Sequence, residues 1–340
     1  SIHKEVGKMK QRINYVDIAK ALGMLAVYFA HYGSQGGYGF TFAFYCVPLF
    51  FFISGWADGM VGEMKTREYL QKKVRRILAP YFIFAALSIG LHILKINTVE
   101  YAKIWGVQVI KGCIRNTFFA GTMWFLSCLF VISIIFAFVR RIRSGAGIII
   151  ISIFFYLVAA VVLPDRPAYR PSWIWNIDSA MEYIIYYALG YVFSPIIMKI
   201  IDSGRKKDNI IKGGMTLVAL LYSAAAFLGH DLLGFLLENK IGMVFHDMFA
   251  NILVILAWLA ISYILQDIKV LQEIGKNTLF LCGSEWMIKE GADAFFSLFG
   301  IEVLFVTPLS LYIFSFVLMV FGVKYVVPIE KKILKRLRIS

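Results

Sequence analysis

A chain of 340 residues with 60% apolar and 16% aromatic residues and a mean hydropathy of +0.73 exceeds the roughly 45 to 50% apolar content of soluble domains. It reads as a polytopic membrane protein. The formal charge of +14 sits in short loops bordering apolar runs, where topology and anionic headgroups account for it, and nucleic-acid binding is set aside.

Crossing about 30 Å of hydrocarbon takes about 20 apolar residues, and ten windows of that kind follow one another along the chain. The first, 15 to 33, carries Asp17, Lys20 and His31 and follows a basic tail with His3 but no small-residue cleavage site, so no removable signal peptide is expected. The second, 39 to 60, holds Ser54. A basic run of Lys72, Lys73, Arg75 and Arg76 immediately precedes the third, 77 to 94, with Pro80 in its first turn, where a missing amide proton does no harm. Between 95 and 121, Ile104, Val107, Ile110 and Ile114 recur near helical spacing beside Lys103, Lys111 and Arg115, as in a helix lying at the interface.

Trp124 opens the fourth window, 122 to 139, and 146 to 163 is the fifth. Trp173 and Trp175 precede the sixth, 177 to 198, and fit an interfacial aromatic belt or a stacking platform for a sugar ring. Windows 213 to 229 and 243 to 265 follow, with His230-Asp231 and His246-Asp247 near their ends. The ninth, 276 to 296, begins at Asn277, read as a helix cap, and contains Glu285 and Lys289; the tenth is 303 to 327. The expected fold is an all-α membrane bundle of about ten helices forming one domain over 1–340, with no internal repeat.

The positive charges orient it. Assigning alternate segments to opposite sides puts 26 of the 35 Lys and Arg on the side of both termini and 8 on the other, with Lys20 inside the first helix. Both termini are therefore expected in the cytoplasm, with the chain in the plasma (inner) membrane. The four cysteines, Cys46, Cys113, Cys128 and Cys282, have no paired spacing, so neither a disulfide framework nor a metal site is expected.

Ionisable residues inside a membrane helix are costly and are functional candidates by default. Lys20 and His31 are eleven residues apart, which is three turns plus about 20° and roughly 16 Å of rise, so they share one face, with Asp17 one turn below Lys20. A donor with an anionic head and a long arm would suit that face. Phosphates would pair with Lys20, Lys73 and Arg76, and the reactive tip would meet an imidazole able to take an alcohol's proton. That is acyl transfer from a coenzyme A thioester. A histidine bonded across helices and an Asp17–Lys20 pair at i, i+3 explain the same residues without chemistry.

Five stretches carry a resemblance: "INYVDIAKALGMLAVYFAH" at 13 to 31, "VPLFFFISGW" at 47 to 56, "KKVRRILAPY" at 72 to 81, "MWFL" at 123 to 126 and "IGKNTLFL" at 274 to 281. Together they resemble the acyltransferase-3 family of membrane acyltransferases, in particular its fucose 4-O-acetylase-like members, over essentially the whole chain. The family pattern of an Arg followed eleven positions later by a histidine thought to be catalytic lands on Lys20 and His31. Its Arg-x-x-Arg lands on Lys73 and Arg76. Both departures keep charge and lose the bidentate fork of arginine. Many relatives carry a further histidine in the ninth helix, where this chain has "CGSEWMIKE". There Glu285 is placed to orient His31, to bind an acceptor hydroxyl, or to pair with Lys289.

The resemblance implies an O-acyltransferase moving an acyl group, most simply acetyl from acetyl-CoA, to a hydroxyl of a cell-envelope glycan or glycolipid. His31 would be the base, Asp17 would fix orientation or charge at the inner end, Glu285 would orient His31 or bind the acceptor, and Lys20, Lys73, Arg75, Arg76 and Trp124 would hold the donor. Membrane lipid is the surrounding partner, and self-association into a homo-oligomer stays open. Competing readings are a transporter or flippase using Asp17, Lys20, His31 and Glu285 as a path, and a sensory domain without catalysis.

Overall fold

The computed structural model describes residues 13–36, 46–61, 64–96, 100–202, 206–227, 231–301, 307–337 and 339, and every regular element among them is helical. Five helices are long and apolar enough to cross a membrane, and three shorter apolar ones accompany them. The expected all-α membrane bundle is therefore the fold. In chain order the elements are α1 (Asn14–Gly36), α2 (Cys46–Gly59), α3 (Thr66–Ile96), α4 (Glu100–Ile110), α5 (Met123–Val139), α6 (Gly145–Val162), α7 (Ile177–Asp202), α8 (Lys206–Phe227) and α9 (Lys240–Ile264). Then come α10 (Lys269–Lys276), α11 (Thr278–Gly283), α12 (Glu285–Ser297) and α13 (Pro308–Arg336). Apolar side chains such as Phe138, Ile150, Phe154, Leu217, Leu221 and Ile313 point outward, as a lipid-facing surface requires.

Three windows differ from their sequence reading, the tenth because its helix runs on to Arg336 rather than ending near 327. The third helix starts at Thr66 rather than near 77, so the basic run lies inside it and Pro80 is an interior residue. Proline removes one helical hydrogen bond and its ring crowds the carbonyl four residues back; the chain answers by widening into a π turn at Val74–Leu78. The same device recurs in α13, where a π turn at Gly322–Val326 precedes Pro328. The ninth window is not one span but two short helices, α11 and α12, parted at Ser284 and set off from α10 before them at Asn277. A broken helix is tolerated at membrane depth where protein satisfies the released backbone groups.

Lipid offers no hydrophobic drive for helices to associate, so close packing through small residues takes over. At the α2–α7 crossing, a Cβ on Gly55 would lie 1.9 Å from the Tyr187 carbonyl oxygen and one on Gly190 1.9 Å from that of Phe52. The backbones touch there, and the Phe51 and Tyr183 rings stack beside them at 4.8 Å. Gly190→Ala is expected to cost about 1 to 3 kcal/mol, read as a lower melting temperature in detergent. Gly90→Ala, with nothing within 4 Å of the added carbon, should leave it unchanged. A second contact of this kind sets the site: a Cβ on Gly275 of α10 would lie 1.7 Å from the Asp17 carbonyl oxygen, which brings the first and last of the five sequence stretches together.

Candidate functional site

A cavity of about 210 Å³ lies between α1, α2, α5 and α11. Helix α1 lines it with Lys20, Met24, Val27 and His31, the face that the eleven-residue spacing defines. Helix α2 adds Phe50, Ile53 and Ser54, the start of α5 adds Thr122, Trp124 and Phe125, and α11 adds Thr278, Leu279 and Cys282. Most of the wall is apolar, and its polar groups are Lys20 and His31 on α1, Ser54 on α2, Thr122 and Trp124 at the start of α5 and Thr278 on α11. The His31 side chain keeps 35% of its surface accessible and Lys20 keeps 23%, so both can be reached from this space. Lys20 also donates to buried Asp17, 2.6 Å away, within α1.

His31 Nδ1 lies 3.2 Å from Oε1 of Glu285, which is buried. The carboxylate thus faces the Nδ1 edge of the ring at hydrogen-bonding distance and becomes its ion-pair partner when the imidazole is protonated. Glu285 stands at the first position of α12 because the ninth window breaks at Ser284. Two carbonyls released by that break find side-chain donors: Leu281 accepts from the Tyr28 hydroxyl at 3.0 Å and Cys282 from the Thr122 hydroxyl at 2.6 Å, while Phe280 accepts from both the Ser284 main-chain N–H at 2.8 Å and its hydroxyl at 2.7 Å. Tyr28 belongs to α1 and Thr122 stands just before α5, so the two helices carrying the cavity also hold the break in place. Lys289, one turn beyond Glu285, donates to the His31 main-chain carbonyl at 3.2 Å and sits 4.7 Å over the Tyr32 ring. The i, i+4 partner weighed for Glu285 thus reaches the same histidine from another side.

The remaining sequence-predicted residues are placed as follows. Trp124 lines the cavity and carries the Arg115 guanidinium 4.9 Å over its ring. Lys73 does not line the cavity: it is buried, 2.7 Å from Asp58 and 3.2 Å from the Tyr187 hydroxyl. Asp58 accepts from the Tyr69 hydroxyl at 2.7 Å and from Tyr187 as well, so one carboxylate gathers α2, α3 and α7. Arg75 and Arg76 are exposed on the π turn of α3. Ser54 lines the cavity while donating to the Phe50 carbonyl at 2.8 Å. Asn277 makes no cap; its amide donates back to the Glu273 carbonyl at 2.7 Å. Of the histidines without a role in the site, His92 stacks on Phe119 at 4.5 Å, and His3 and His230 lie outside the described residues.

His246 is held between two carboxylates, Asp231 at 2.8 Å and Asp247 at 2.9 Å. Asp247 continues to Arg166 at 2.6 Å, and Arg166 to Glu182 at 2.9 Å. Beside them, burial and the Asp247 carboxylate push the Tyr169 hydroxyl up to about 12. This network ties the connections before α7 and α9 together. Nearer the cavity, Arg115 donates to the carbonyls of Pro167 and Ala168, each at 2.6 Å. Asn176 donates to Gly112 and Ser127 at 3.0 and 2.9 Å. These bonds offset the left-handed backbone of Trp175 (φ 58°) and Asn176 (φ 53°), a conformation that costs about 1 to 3 kcal/mol per residue.

Cys113, in the same connection, is also buried, which pushes its thiol up to about 12. All four cysteines are free and buried, and no metal-binding group occurs among the described residues. Sequence alone missed Thr122, Tyr28 and Asp58. Each is an ordinary polar residue whose partner is remote in the chain, and no local spacing signals it.

The bundle and its site define an integral membrane protein built around an imidazole–carboxylate pair at the wall of an internal cavity. A family model described as an acyltransferase domain matches residues 13–325, and the chain belongs to that family, the acyltransferase-3 membrane acyltransferases. No curated protein matches the chain.

Proposed function

We propose that the protein is a membrane O-acyltransferase that takes an acyl group, acetyl in the simplest case, from cytoplasmic acyl-CoA and delivers it to a hydroxyl of an envelope glycan or glycolipid. The observation that carries this reading is the single cavity lined by both Lys20 and His31. Its apolar wall suits the arm and tip of a thioester. Lys20 at one end, with exposed Arg75 and Arg76 on the same face of the membrane under the charge-derived topology, offers charge-assisted partners for phosphates. With its Asp58 partner, Lys73 would fix the α3 segment that bears these arginines.

With Nδ1 beside Glu285, Nε2 is the nitrogen assigned to the acceptor. It removes the hydroxyl proton as the alkoxide oxygen attacks the thioester carbonyl. The C–S bond then breaks, the acyl group stays on the acceptor oxygen, and the imidazolium returns its proton to the departing thiolate. Glu285 stabilises the imidazolium between the two transfers. Trp124 shapes the cavity near the reacting carbon, and Asp17 sets the position and charge of Lys20.

Mass spectrometry of envelope glycans from cells with and without the gene tests the reading. Gene-dependent O-acylation is expected. Identical glycans, together with solute flux through proteoliposomes lacking acyl-CoA, would replace it with transport.

A further inference from the structure

A second cavity, sharing no lining residue with the first, opens between the C-terminal end of α2, the start of α3, the α5–α6 connection and α7. Its volume is about 1040 Å³. Among the described residues, four cationic ones line it, Lys65, Arg140, Arg141 and Arg143, and no carboxylate does. Preference for basic loops on one side of a membrane explains why these segments are basic. It does not explain why side chains from two separate connections converge on one hollow, nor why two of them are held.

Arg140 lies 4.7 Å over the Tyr69 ring and donates to the Met64 carbonyl at 3.3 Å. Arg141 lies 5.2 Å over the Phe138 ring and donates to the Thr66 hydroxyl at 3.2 Å. Helix α6 begins at Gly145 in the same wall, adding the partial positive charge of its N-terminus. Like charges collected in a concavity repel each other, and a polyanion removes that repulsion while pairing with planar guanidinium groups.

We propose that this cavity is a binding site for a phosphate-bearing ligand, either a phosphorylated solute or the phosphate of an anionic phospholipid headgroup. It does not depend on His31 acting as a base. Arg141 and Arg143 supply the charge-assisted contacts, while Arg140, braced on Tyr69, links the site to the Asp58–Lys73 cluster that Tyr69 also joins.

The test uses the full chain with two probes, inorganic diphosphate titrated in neutral detergent and nanodiscs of phosphatidylcholine with or without phosphatidylglycerol. Thermal stability is the readout for wild type, for Arg141→Gln with Arg143→Gln, and for Lys335→Gln with Arg336→Gln as an equal change of charge elsewhere. Stabilisation of wild type and of the Lys335/Arg336 variant is expected in at least one arm, weakening with added salt, with at least about a tenfold loss of affinity in the Arg141/Arg143 variant. A response to diphosphate identifies a solute site; a response to phosphatidylglycerol alone identifies a headgroup site. If the double variant fails to fold, Lys65→Gln replaces it, with a several-fold loss expected. Equal responses in wild type and cavity variants, or no response in either arm, would overturn the proposal. His31→Ala should bind both probes as wild type does, which separates this outcome from failure of the acyltransferase reading.

Discussion

His31→Ala is expected to lower acyl transfer by about 10²- to 10⁴-fold, the range that a positioned general base contributes, while leaving the fold and donor binding close to wild type. The side chain borders a cavity rather than filling a packed core, so its removal enlarges existing space. The contact that Lys289 makes is with the main-chain carbonyl of residue 31 and survives the substitution. Initial rates of transfer from labelled acetyl-CoA, measured with a melting curve and a donor-binding isotherm on the same sample, check it. A variant that turns over at the wild-type rate would remove His31 from the chemistry.

Glu285→Gln is the second large effect. Glutamine keeps the shape of the side chain at the head of α12 but cannot balance an imidazolium, and a hydrogen bond to a charged group is worth about 1.5 to 3 kcal/mol. A fall of about 10- to 150-fold in kcat follows, with the donor KM little changed, because Glu285 faces His31 and does not line the cavity. Glu285→Asp should recover part of the rate. If the glutamine variant instead raises KM and spares kcat, Glu285 serves donor binding. Thr122→Val should show a weaker form of the same defect, since it removes the hydroxyl that holds the Cys282 carbonyl and leaves both ionisable groups present.

The long apolar runs and the helical face of α1 could be read directly, because both follow from periodicities internal to one segment. Lys20 and His31 share a wall for the reason their spacing gives. Glu285 stood out in sequence as an ionisable residue in an apolar run, but its contact with His31 depends on a break at Ser284 that hydropathy averages away. The extent of α3 was hidden for a related reason. A basic run followed by proline looks like a loop and a helix start, whereas a π turn carries the helix through it.

Lys73 illustrates the other limit. Its charge is evident, but its place is decided by Asp58 fifteen residues earlier and Tyr187 on α7, and such partners are set by packing. The close approaches at Gly55, Gly190 and Gly275 belong to the same class, since a glycine in sequence does not say which backbone it admits. Asn277 followed the statistics of helix starts, yet the tight turn between α10 and α11 directs its amide back to Glu273.

The central claim is that one cavity carries the donor's reactive end past Lys20 to His31. An experimental structure of the protein with a non-transferable thioether analogue of acetyl-CoA tests it most directly. The expected result places the analogue's carbonyl within hydrogen-bonding reach of the His31 imidazole, its arm against Trp124 and Phe50, and its phosphates on the Lys20 side. An analogue bound away from α1, or a His31 ring turned to lipid with the cavity closed between it and Lys20, would contradict it.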